Sequence, residues 1–391
     1  MNEVVIVEAV RTPIGRRNGS LGGSHSIDVL GAVQKALFDR SNIDPASVGQ
    51  VVGGCVGQVG MQAHNPTRNA WLAAGPPKEV AGSTVDSACG SSQQAATLAF
   101  ALVRAGIVDT AVACGVELMT RVPMGSTVPK EPSVGKPVNR RYRERYNYTT
   151  QFEGAELMAR RWNLSRQDCD AFGKRSQDRA ARAWAAERFA TQIIPVVVPG
   201  RADDGSYTDD EHVFERDECL RSTTLDGLGG LQPVLVDGVH TAGSASQIAD
   251  GAAAILMMTR EKAFADGVTP LATVVDACLV GCDPVVMLEG PIPATRKLLG
   301  ENGLTIDDID VIEINEAFAS VVLAWEQELR ADRDRVNPNG GAVALGHPLG
   351  GTGVLLVTKA VHELVRSEGE HAIVTMCCGG GLGTGTLLRR A

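Results

Sequence analysis

The amino-acid sequence predicts a duplicated α/β protein, in which two similar βαβ halves flank an inserted loop domain. Short apolar runs alternate with helical patterns near the start, the same order of elements returns near the end, and the stretch between is rich in loops and charge. The 391 residues also exceed what a single core of about 150 residues needs. The expected units are 1–117 (completed by about 249–268), the insertion 118–248, and 269–391.

The N-terminal half begins with a predicted strand, Val4–Val7, and a helix, Ile27–Arg40, whose apolar residues recur on one face. A second strand over Gln50–Val56 precedes a helix over Ser91–Arg104, which ends near a glycine. Thr110–Cys114 is a third strand. This alternation predicts a mostly parallel sheet covered by helices.

The C-terminal half repeats this plan with faint sequence identity. The corresponding segments are Ile43–Val52 with Ile306–Ile312, Thr84–Cys89 with Ala342–His347, and Thr110–Ala113 with Ala372–Met376. An apolar helix over Thr352–Arg366 follows the second of these segments. In the insertion, Arg166–Phe189 reads as one long helix that begins with a capping box of Ser165 and Asp168.

Composition excludes several classes of protein. The 37 Lys and Arg against 46 Asp and Glu give a net charge of −9, which argues against nonspecific binding to nucleic acid or anionic membranes. No apolar run reaches the ~18–20 residues of a membrane span, and the first residues lack a signal-peptide pattern. Nine cysteines without a CxxC favour reduced thiols over disulfides or a zinc site. We expect a soluble, cytoplasmic protein without a metal.

Cys89 is the first candidate for chemistry. It ends a strand-like run in a turn of small residues, and a helix is predicted to begin there. The free N–H groups and dipole of a helix N-terminus favour a thiolate. A buried cysteine that packs against a helix start would show the same pattern, so this motif alone leaves both interpretations open.

His347 lies in the glycine-rich run Gly340–Gly353, directly before Pro348, which keeps its backbone out of the helical region. The duplicated plan puts it at the strand-to-helix turn that corresponds to that of Cys89, where an activating base is needed. A structural histidine bonded to a loop carbonyl is the alternative.

Two further motifs contain groups suited to proton transfer or orientation. Cys377 opens a glycine-rich run after a strand, where only Thr386–Ala391 remain for the long helix that a dinucleotide-binding loop requires. A nicotinamide cofactor is therefore not expected. Cys377 suits proton transfer beside backbone N–H groups, and a glycine-rich closing turn with two packing thiols is the alternative. Asn315 lies between a strand and a helix, where it orients a water or merely caps the helix.

In this order and spacing the four motifs resemble the thiolases, a family of acetyl-CoA acetyltransferases and 3-oxoacyl-CoA thiolases. The resemblance covers essentially the whole chain, including Glu8–Gly15 and Thr241–Ser246. It implies two similar α/β halves, with mixed sheets covered by helices, and a loop domain, in agreement with the duplication.

The resemblance implies that Cys89 accepts the acyl group, that His347 takes its proton, and that Cys377 acts as acid and base for the second substrate. Asn315 would hold a water that forms one oxyanion site with His347, and the N–H groups of Cys89 and Gly379 would form the other. The implied reaction is cleavage of a 3-oxoacyl-CoA by CoA through acyl-Cys89, with Claisen condensation as its reverse. No metal or tightly bound cofactor is needed.

Ser246 and Arg221 match positions that contact coenzyme A in the family, Arg221 by a looser local match. The expected partners are therefore acyl-CoA and CoA, with no nucleic acid and no membrane. Because the family is usually oligomeric, a homodimer or homotetramer is expected.

Two departures bear on the substrate. Thr150–Glu153 stands where short-chain acetoacetyl-CoA enzymes commonly have a His-Met pair, and Ser92 where a glycine is frequent. Both favour degradative cleavage of a medium, long or bulky, steroid-like 3-oxoacyl-CoA over biosynthetic formation of acetoacetyl-CoA. The loop Lys136–Tyr148, with five basic residues and three of the four tyrosines, either attracts CoA phosphates and bulky acyl groups or is a solvated or subunit-contact loop.

Other classes fit less well. A decarboxylating ketoacyl synthase shares the expected fold and nucleophile but typically uses two histidines, whereas the second position here is Cys377. A non-catalytic acyl-CoA-binding protein would not need all four motifs, and a redox or zinc thiol protein would need a different cysteine spacing.

Overall fold

The computed structural model describes residues 1–202 and 204–391. Within these residues the strands are β1 (Val4–Arg11), β2 (Gly15–Arg16), β3 (Gln50–Gly54), β4 (Ala81–Val85), β5 (Thr110–Leu118), β6 (Val196–Arg201), β7 (Tyr207–Phe214), β8 (Ala249–Thr259), β9 (Ala272–Gly281), β10 (Val311–Ile314), β11 (His371–Cys378) and β12 (Leu382–Arg390).

The α-helices in the same residues are α1 (Ser26–Ser41), α2 (Pro66–Ala74), α3 (Ser91–Arg104), α4 (Arg140–Arg145), α5 (Gln151–Arg161), α6 (Arg166–Ala185), α7 (Leu225–Gly229), α8 (Arg260–Ala265), α9 (Pro291–Asn302), α10 (Ala319–Leu329), α11 (Ala342–Leu345) and α12 (Thr352–Ser367). None of the described helices combines the length and apolar character needed to cross a bilayer.

Ten of the strands form one mixed sheet in the order β10-β11-β12-β9-β1-β8-β5-β3-β4, with β2 paired to β8. The sheet contains two runs of equivalent strands, β1-β8-β5-β3 and β9-β12-β11-β10. The two runs meet where β1 pairs antiparallel with β9. In both runs the outer pair, β3–β5 or β10–β11, is parallel and the inner pairs are antiparallel. This arrangement confirms the mixed sheet covered by helices and repeats one strand order twice.

The prediction of a mostly parallel sheet is wrong, because only β3–β4, β3–β5 and β10–β11 run parallel. A parallel connection needs a crossover of a dozen or more residues. The loop that joins β11 to β12 consists of only three glycines, Gly379–Gly381. A loop this short permits only an antiparallel hairpin.

The sheet is buried on both faces, and β1 shows how. Ile6 belongs to the core shared with α3 and α12, whereas Val5 and Val7 belong to the opposite core, which includes residues of α1 and α2. Alternate side chains of one strand point to opposite faces, so one apolar run supplies two layers. The helices α3 and α12 pack against each other in the shared core, one from each half of the chain. This shared layer brings the starts of α3 and α12 close together.

Three local predictions need correction. The first strand continues to Arg11, and the long helix of the insertion ends at Ala185, where Glu187 adopts a left-handed φ of 53°. The segment before His347 is not a strand but the short helix Ala342–Leu345. The Val343 N–H at the start of this helix donates to the carboxylate of Glu316 at 3.1 Å, so a side chain rather than a neighbouring strand satisfies it. The capping box at Ser165 is confirmed.

Candidate active site

Five of the residues singled out in the sequence line one cavity of about 530 Å³. They are Cys89, His347, Cys377, Ser246 and Arg221. Asn315 lies behind the wall, bonded to His347, and Gly379 lies beside the sulfur of Cys89. Segments that are far apart in the sequence therefore converge on one space large enough for a small-molecule substrate.

Cys89 lies in a tight turn between β4 and α3. Ala88 adopts a left-handed φ of 51°, which is unfavourable for a residue with a Cβ. Side chains hold this turn: the carboxylate of Asp86 accepts from the Ala88 N–H at 2.8 Å, and the Ser91 hydroxyl donates to the Ala88 carbonyl at 2.6 Å. The turn places Cys89 in the lining of the cavity, although only 6% of the residue is exposed.

The expectation that a helix N-terminus keeps Cys89 ionised is wrong. The helix begins at Ser91, as its own pattern predicts, and therefore two residues after Cys89, where the cysteine motif had placed its start. Burial raises the pKa of the Cys89 thiol to about 11, although the backbone N–H groups of Gly379 and Cys89 itself lower it in part. The resting group at neutral pH is therefore a thiol, which needs a base when it reacts. The same two N–H groups are positioned to stabilise an oxyanion beside the sulfur.

The hydrogen bonds of His347 determine which ring nitrogen is the base. The Thr352 hydroxyl lies 3.0 Å from the carbonyl of Pro348, to which it donates. Its oxygen also lies 2.7 Å from Nδ1 of His347, and since its hydrogen is already used, Nδ1 must carry the proton and donate. The lone pair is consequently on Nε2, the nitrogen that faces Asn315.

Burial lowers the pKa of His347 to about 4. The imidazole is therefore neutral over the whole physiological range and able to accept a proton from a neighbouring thiol. Its backbone is held by a hydrogen bond from the His347 N–H to the carbonyl of Gln247 at 3.0 Å, which ties the histidine to the segment that contains Ser246.

Asn315 follows β10 and is fully buried. Its Nδ2 lies 3.4 Å from Nε2 of His347, and within the described residues its Oδ1 has no hydrogen-bond partner. Phe318 rather than Asn315 is the N-cap residue of α10. The simple capping interpretation of Asn315 is therefore wrong, and the side chain is available to bind a polar atom beside the imidazole.

Cys377 is the last residue but one of β11 and lines the cavity, while its neighbour Cys378 does not. Burial is the main cause that raises the pKa of the Cys377 thiol well above its usual range, and the nearby Cys89 sulfur adds to it. In the loop that follows, Gly380 and Gly381 adopt left-handed φ values of 83° and 80°, which glycine tolerates best. This loop directs the Gly379 N–H toward Cys89.

Glu117 organises the site although the sequence analysis did not single it out. Its buried carboxylate accepts hydrogen bonds from the N–H groups of Val56, Gly57 and Gly350 at 2.9–3.0 Å and from the Gln62 amide at 2.6 Å. Gly350 belongs to the loop after His347, so the carboxylate joins the two halves of the chain. An acid within the apolar strand Thr110–Leu118 was the signal that could have revealed it.

Ser246 and Arg221 also line the cavity. The Ser246 N–H donates to the carbonyl of Ala317 at 2.9 Å, and the Arg221 N–H donates to Oε1 of Gln177 at 2.9 Å. Arg221 also borders a second space of about 240 Å³ whose lining includes the hydroxyl residues 222–224. The second space thus offers three hydroxyl side chains beside the positively charged Arg221.

The segment that replaces the His-Met pair also reaches the cavity. Gln151 and Phe152 both line it, at the start of α5. The Gln151 amide nitrogen lies 4.0 Å from where a Cβ on Gly379 would be, and the Phe152 ring packs edge-on against Phe318 at 4.9 Å. Sequence reasoning noted the departure but not these contacts.

The basic loop Lys136–Tyr148 is mostly exposed and does not line the cavity of a single chain. The Arg143 guanidinium lies 5.5 Å from the ring centre of Tyr148. The role of the loop Lys136–Tyr148 stays a prediction.

Among the described residues no group of three His, Cys, Asp or Glu side chains is arranged to hold a metal ion.

Two family models together match nearly the whole chain: "Thiolase, N-terminal domain" over residues 4–261 and "Thiolase, C-terminal domain" over residues 268–390. A steroid 3-ketoacyl-CoA thiolase of Mycobacterium tuberculosis is 43% identical over 396 residues, with 100% of this chain and 95% of the relative covered. A beta-ketoadipyl-CoA thiolase of Escherichia coli is 40% identical, with both chains fully covered. The crystal structure of the Bacillus anthracis acetyl-CoA acetyltransferase matches with a TM-score of 0.91 and 35% identity over 100% of this chain and 99% of that one.

Proposed function

Because the chain belongs to the thiolase family, we propose that it cleaves a 3-oxoacyl-CoA with CoA, through an acyl group on Cys89, to acetyl-CoA and a shortened acyl-CoA. The enzyme is an acyltransferase, like its named relatives. The observation that carries the proposed roles is the convergence of Cys89, His347 and Cys377 on one cavity.

In the first half-reaction Nε2 of His347 accepts the proton of Cys89, and the thiolate attacks the 3-oxo carbonyl. The C2–C3 bond then breaks, leaving the acyl group on sulfur and the enolate of acetyl-CoA. The Cys377 thiol, which is neutral because its pKa is raised by burial, protonates the enolate carbon. The N–H groups of Cys89 and Gly379 are suited to stabilise the tetrahedral oxyanion.

In the second half-reaction the Cys377 thiolate takes the proton of incoming CoA. A thiolate whose pKa is raised by burial is a strong base, so this transfer is favourable. The CoA thiolate attacks the acyl group, and the Cys89 thiolate leaves and recovers its proton from His347. Every group returns to its initial state, and no redox or metal chemistry is required by this sequence of steps.

We assign the enolate oxygen to the pair of His347 and Asn315. Once His347 holds the Cys89 proton, its Nε2–H is a donor, and Asn315 lies 3.4 Å from it. A water bound by Asn315 would supply the second donor. Ser246 and Arg221 would contact CoA, since both line the cavity and Arg221 continues into the polar second space.

The proposed direction is degradative and the acyl group medium, long or bulky. The apolar lining of the cavity, which includes Met119, Met124 and Leu288, and the relative named for steroid 3-ketoacyl-CoA support this. Formation of acetoacetyl-CoA is the second candidate, because other matches are named acetyl-CoA acetyltransferases. Comparing kcat/KM for acetoacetyl-CoA and a ring-bearing 3-oxoacyl-CoA decides between them, and a clear preference for acetoacetyl-CoA refutes the first.

Mass spectrometry of the protein after brief exposure to acetyl-CoA tests the reaction itself. An acetyl group is expected on the peptide that contains Cys89 and should be lost again when free CoA is added. Cys378→Ala, which changes a cysteine outside the cavity, is the matched control, whereas Cys89→Ala should remain unlabelled. Labelling of another residue, or none, contradicts the proposal.

We further propose a homodimer or homotetramer in the cytoplasm with no tightly bound cofactor. Nine free cysteines, eight of them buried, support a reducing compartment, and the oligomeric state rests on the family alone. Light scattering coupled to size-exclusion chromatography tests the oligomer, and a monomer at micromolar concentration contradicts it.

A further inference from the structure

The first turn of α3 connects the nucleophile to the C-terminal half of the chain. Ser92 and Gln93 closely follow Cys89 in the sequence, and both are fully buried. Neither is among the described residues that line the cavity, so neither contacts a substrate there. Ser92 stands where a glycine is frequent in thiolases, and its burial means that this departure does not act by contact with an acyl group. The steps described above give these two side chains no role.

Ser92 links this turn to the helix that follows His347. Its hydroxyl oxygen accepts a hydrogen bond of 3.0 Å from the N–H of Val354, in the first turn of α12. The N–H groups of a first turn commonly need partners from outside the helix. The same turn begins with Thr352, whose hydroxyl lies 2.7 Å from Nδ1 of His347 and orients the ring. Ser92 therefore joins the helix of the nucleophile to the residue that holds the base.

The two helices approach each other closely at this point. A Cβ on Gly353 of α12 would lie 2.2 Å from the backbone nitrogen of Gln93. A Cβ on Gly115 of β5 would likewise lie 2.5 Å from the Cβ of Ser92. Because only a residue without a Cβ fits at either position, the Ser92 side chain is enclosed between β5 and α12. The hydrogen bond to α12 is thus part of a tightly packed contact.

Gln93 links the same turn to the strand that carries Cys377. Its amide nitrogen donates to the carbonyl of Val374 in β11 and to the hydroxyl of Thr386 in β12, both at 2.9 Å. Its amide oxygen accepts from the hydroxyl of Thr384 at 2.6 Å. Both hydrogens of the amide and its oxygen are used, so the side chain is fixed in one orientation. Since Cys377 follows Val374 closely in β11, Gln93 joins the helix of the nucleophile to the strand of the acid.

We propose that Ser92 and Gln93 are positioning residues that set two catalytic distances separately. Ser92 holds Cys89 at the distance from His347 that proton transfer needs, and Gln93 holds it at the distance from Cys377. The inference rests on the proposed function, in which these two pairs of groups act in different steps. A misplacement of about 1 Å can cost about 10² in rate, so a bond one turn from the nucleophile affects the chemistry without touching the substrate.

Two rates report the two distances. When p-nitrophenyl acetate acetylates Cys89, p-nitrophenolate leaves as an anion, so this burst needs only the transfer of the thiol proton to Nε2 of His347. Exchange of the methyl hydrogens of acetyl-CoA with deuterated water needs proton transfer at Cys377. Both rates are measured far below the denaturation midpoint of each variant. Their ratio cancels any effect that lowers both equally, as a loss of folded protein does.

The variants should shift this ratio in opposite directions. Ser92→Ala should lower the burst rate about tenfold and the exchange rate much less, and Gln93→Met should do the reverse. Thr386→Val, which removes one partner of the Gln93 amide, is the milder variant and should shift the ratio in the same direction as Gln93→Met. An unchanged ratio in Ser92→Ala and Thr386→Val overturns the inference.

Matched controls change buried polar side chains that do not join the two halves. Thr358→Val removes a hydroxyl of α12 that has no hydrogen-bond partner within the described residues. Gln34→Met removes an amide that donates to the carbonyl of Thr67, inside the N-terminal half. Both should leave the ratio unchanged even where they lower stability. A shift in these controls as large as in the test variants also overturns the inference.

The two proposals fail in different ways. If the wild-type protein neither exchanges the methyl hydrogens of acetyl-CoA nor takes an acetyl group from it onto Cys89, the proposed function is wrong. If the wild type does both, and Ser92→Ala and Gln93→Met each lose the two rates in equal proportion, the reaction stands and only the positioning roles are wrong.

Discussion

Nδ1 of His347 donates to the hydroxyl oxygen of Thr352 at 2.7 Å, and this one contact leaves the lone pair on Nε2, the nitrogen that faces Asn315. The Thr352 hydroxyl can only accept from the ring because its own hydrogen is used by the Pro348 carbonyl at 3.0 Å. A residue one turn along the chain thus selects the tautomer that a general base requires.

Thr352→Val should therefore reduce kcat/KM by about tenfold, because the ring loses the acceptor that keeps the proton on Nδ1. Thr352→Ser removes the methyl group but retains the hydroxyl, and it should keep most of the activity. Steady-state thiolysis assays check this. Equal loss in the valine and serine variants would assign Thr352 a purely structural role.

The pH dependence of thiol reactivity follows from the two shifted pKa values. The Cys89 thiol has a pKa raised to about 11 and is protonated below pH 11. His347 has a pKa lowered to about 4 and is neutral above pH 4. Alkylation of Cys89 by iodoacetamide should therefore rise about tenfold per pH unit from pH 6 to pH 9 without levelling off. Thiolysis should lose no rate to His347 protonation above about pH 5.

Mass spectrometry of the alkylated peptide gives these rates directly. A plateau near neutral pH would mean that a thiolate–imidazolium pair already exists in the free enzyme, and our assignment of a neutral pair would be incorrect.

Cys377→Ala should lower kcat by about 10²–10⁴, because it removes the group that transfers protons to and from the second substrate. Exchange of the methyl hydrogens of acetyl-CoA with deuterated water should be lost as well. Cys378→Ala is the matched control: this thiol is the next residue but does not line the cavity, and exchange should persist. Undiminished exchange in Cys377→Ala would show that another group is the base.

Glu117→Ala should lower the free energy of unfolding by about 3 kcal/mol or more, because three backbone N–H groups and the Gln62 amide lose their buried acceptor. Activity should fall further than stability explains, since Gly350 lies close to His347 in the chain. Denaturant titration and kcat measured well below the transition check both effects. A variant as stable as the wild type would contradict the bridging role of this carboxylate.

Much of the site could be predicted from local sequence. Cys89, His347 and Cys377 each have glycines or other small residues close by in the sequence, next to a strand or helix, and a nucleophile, a base and an acid require these residue types. Glu117 and Thr352 were missed, because each acts on a partner that no local pattern reveals. Glu117, for example, binds Gly350, which is 233 residues further along the chain.

The sequence by itself determined the α/β class, the repeated order of elements and the identity of the reactive groups, since periodicity and residue chemistry are local properties. Only the tertiary structure decided their ionisation. Burial of Cys89 outweighs the nearby N–H groups and keeps it a thiol, while Thr352 and burial together keep His347 a neutral base with its lone pair on Nε2. Desolvation and tautomer depend on which distant segments close around a group, and folding alone brings those segments together.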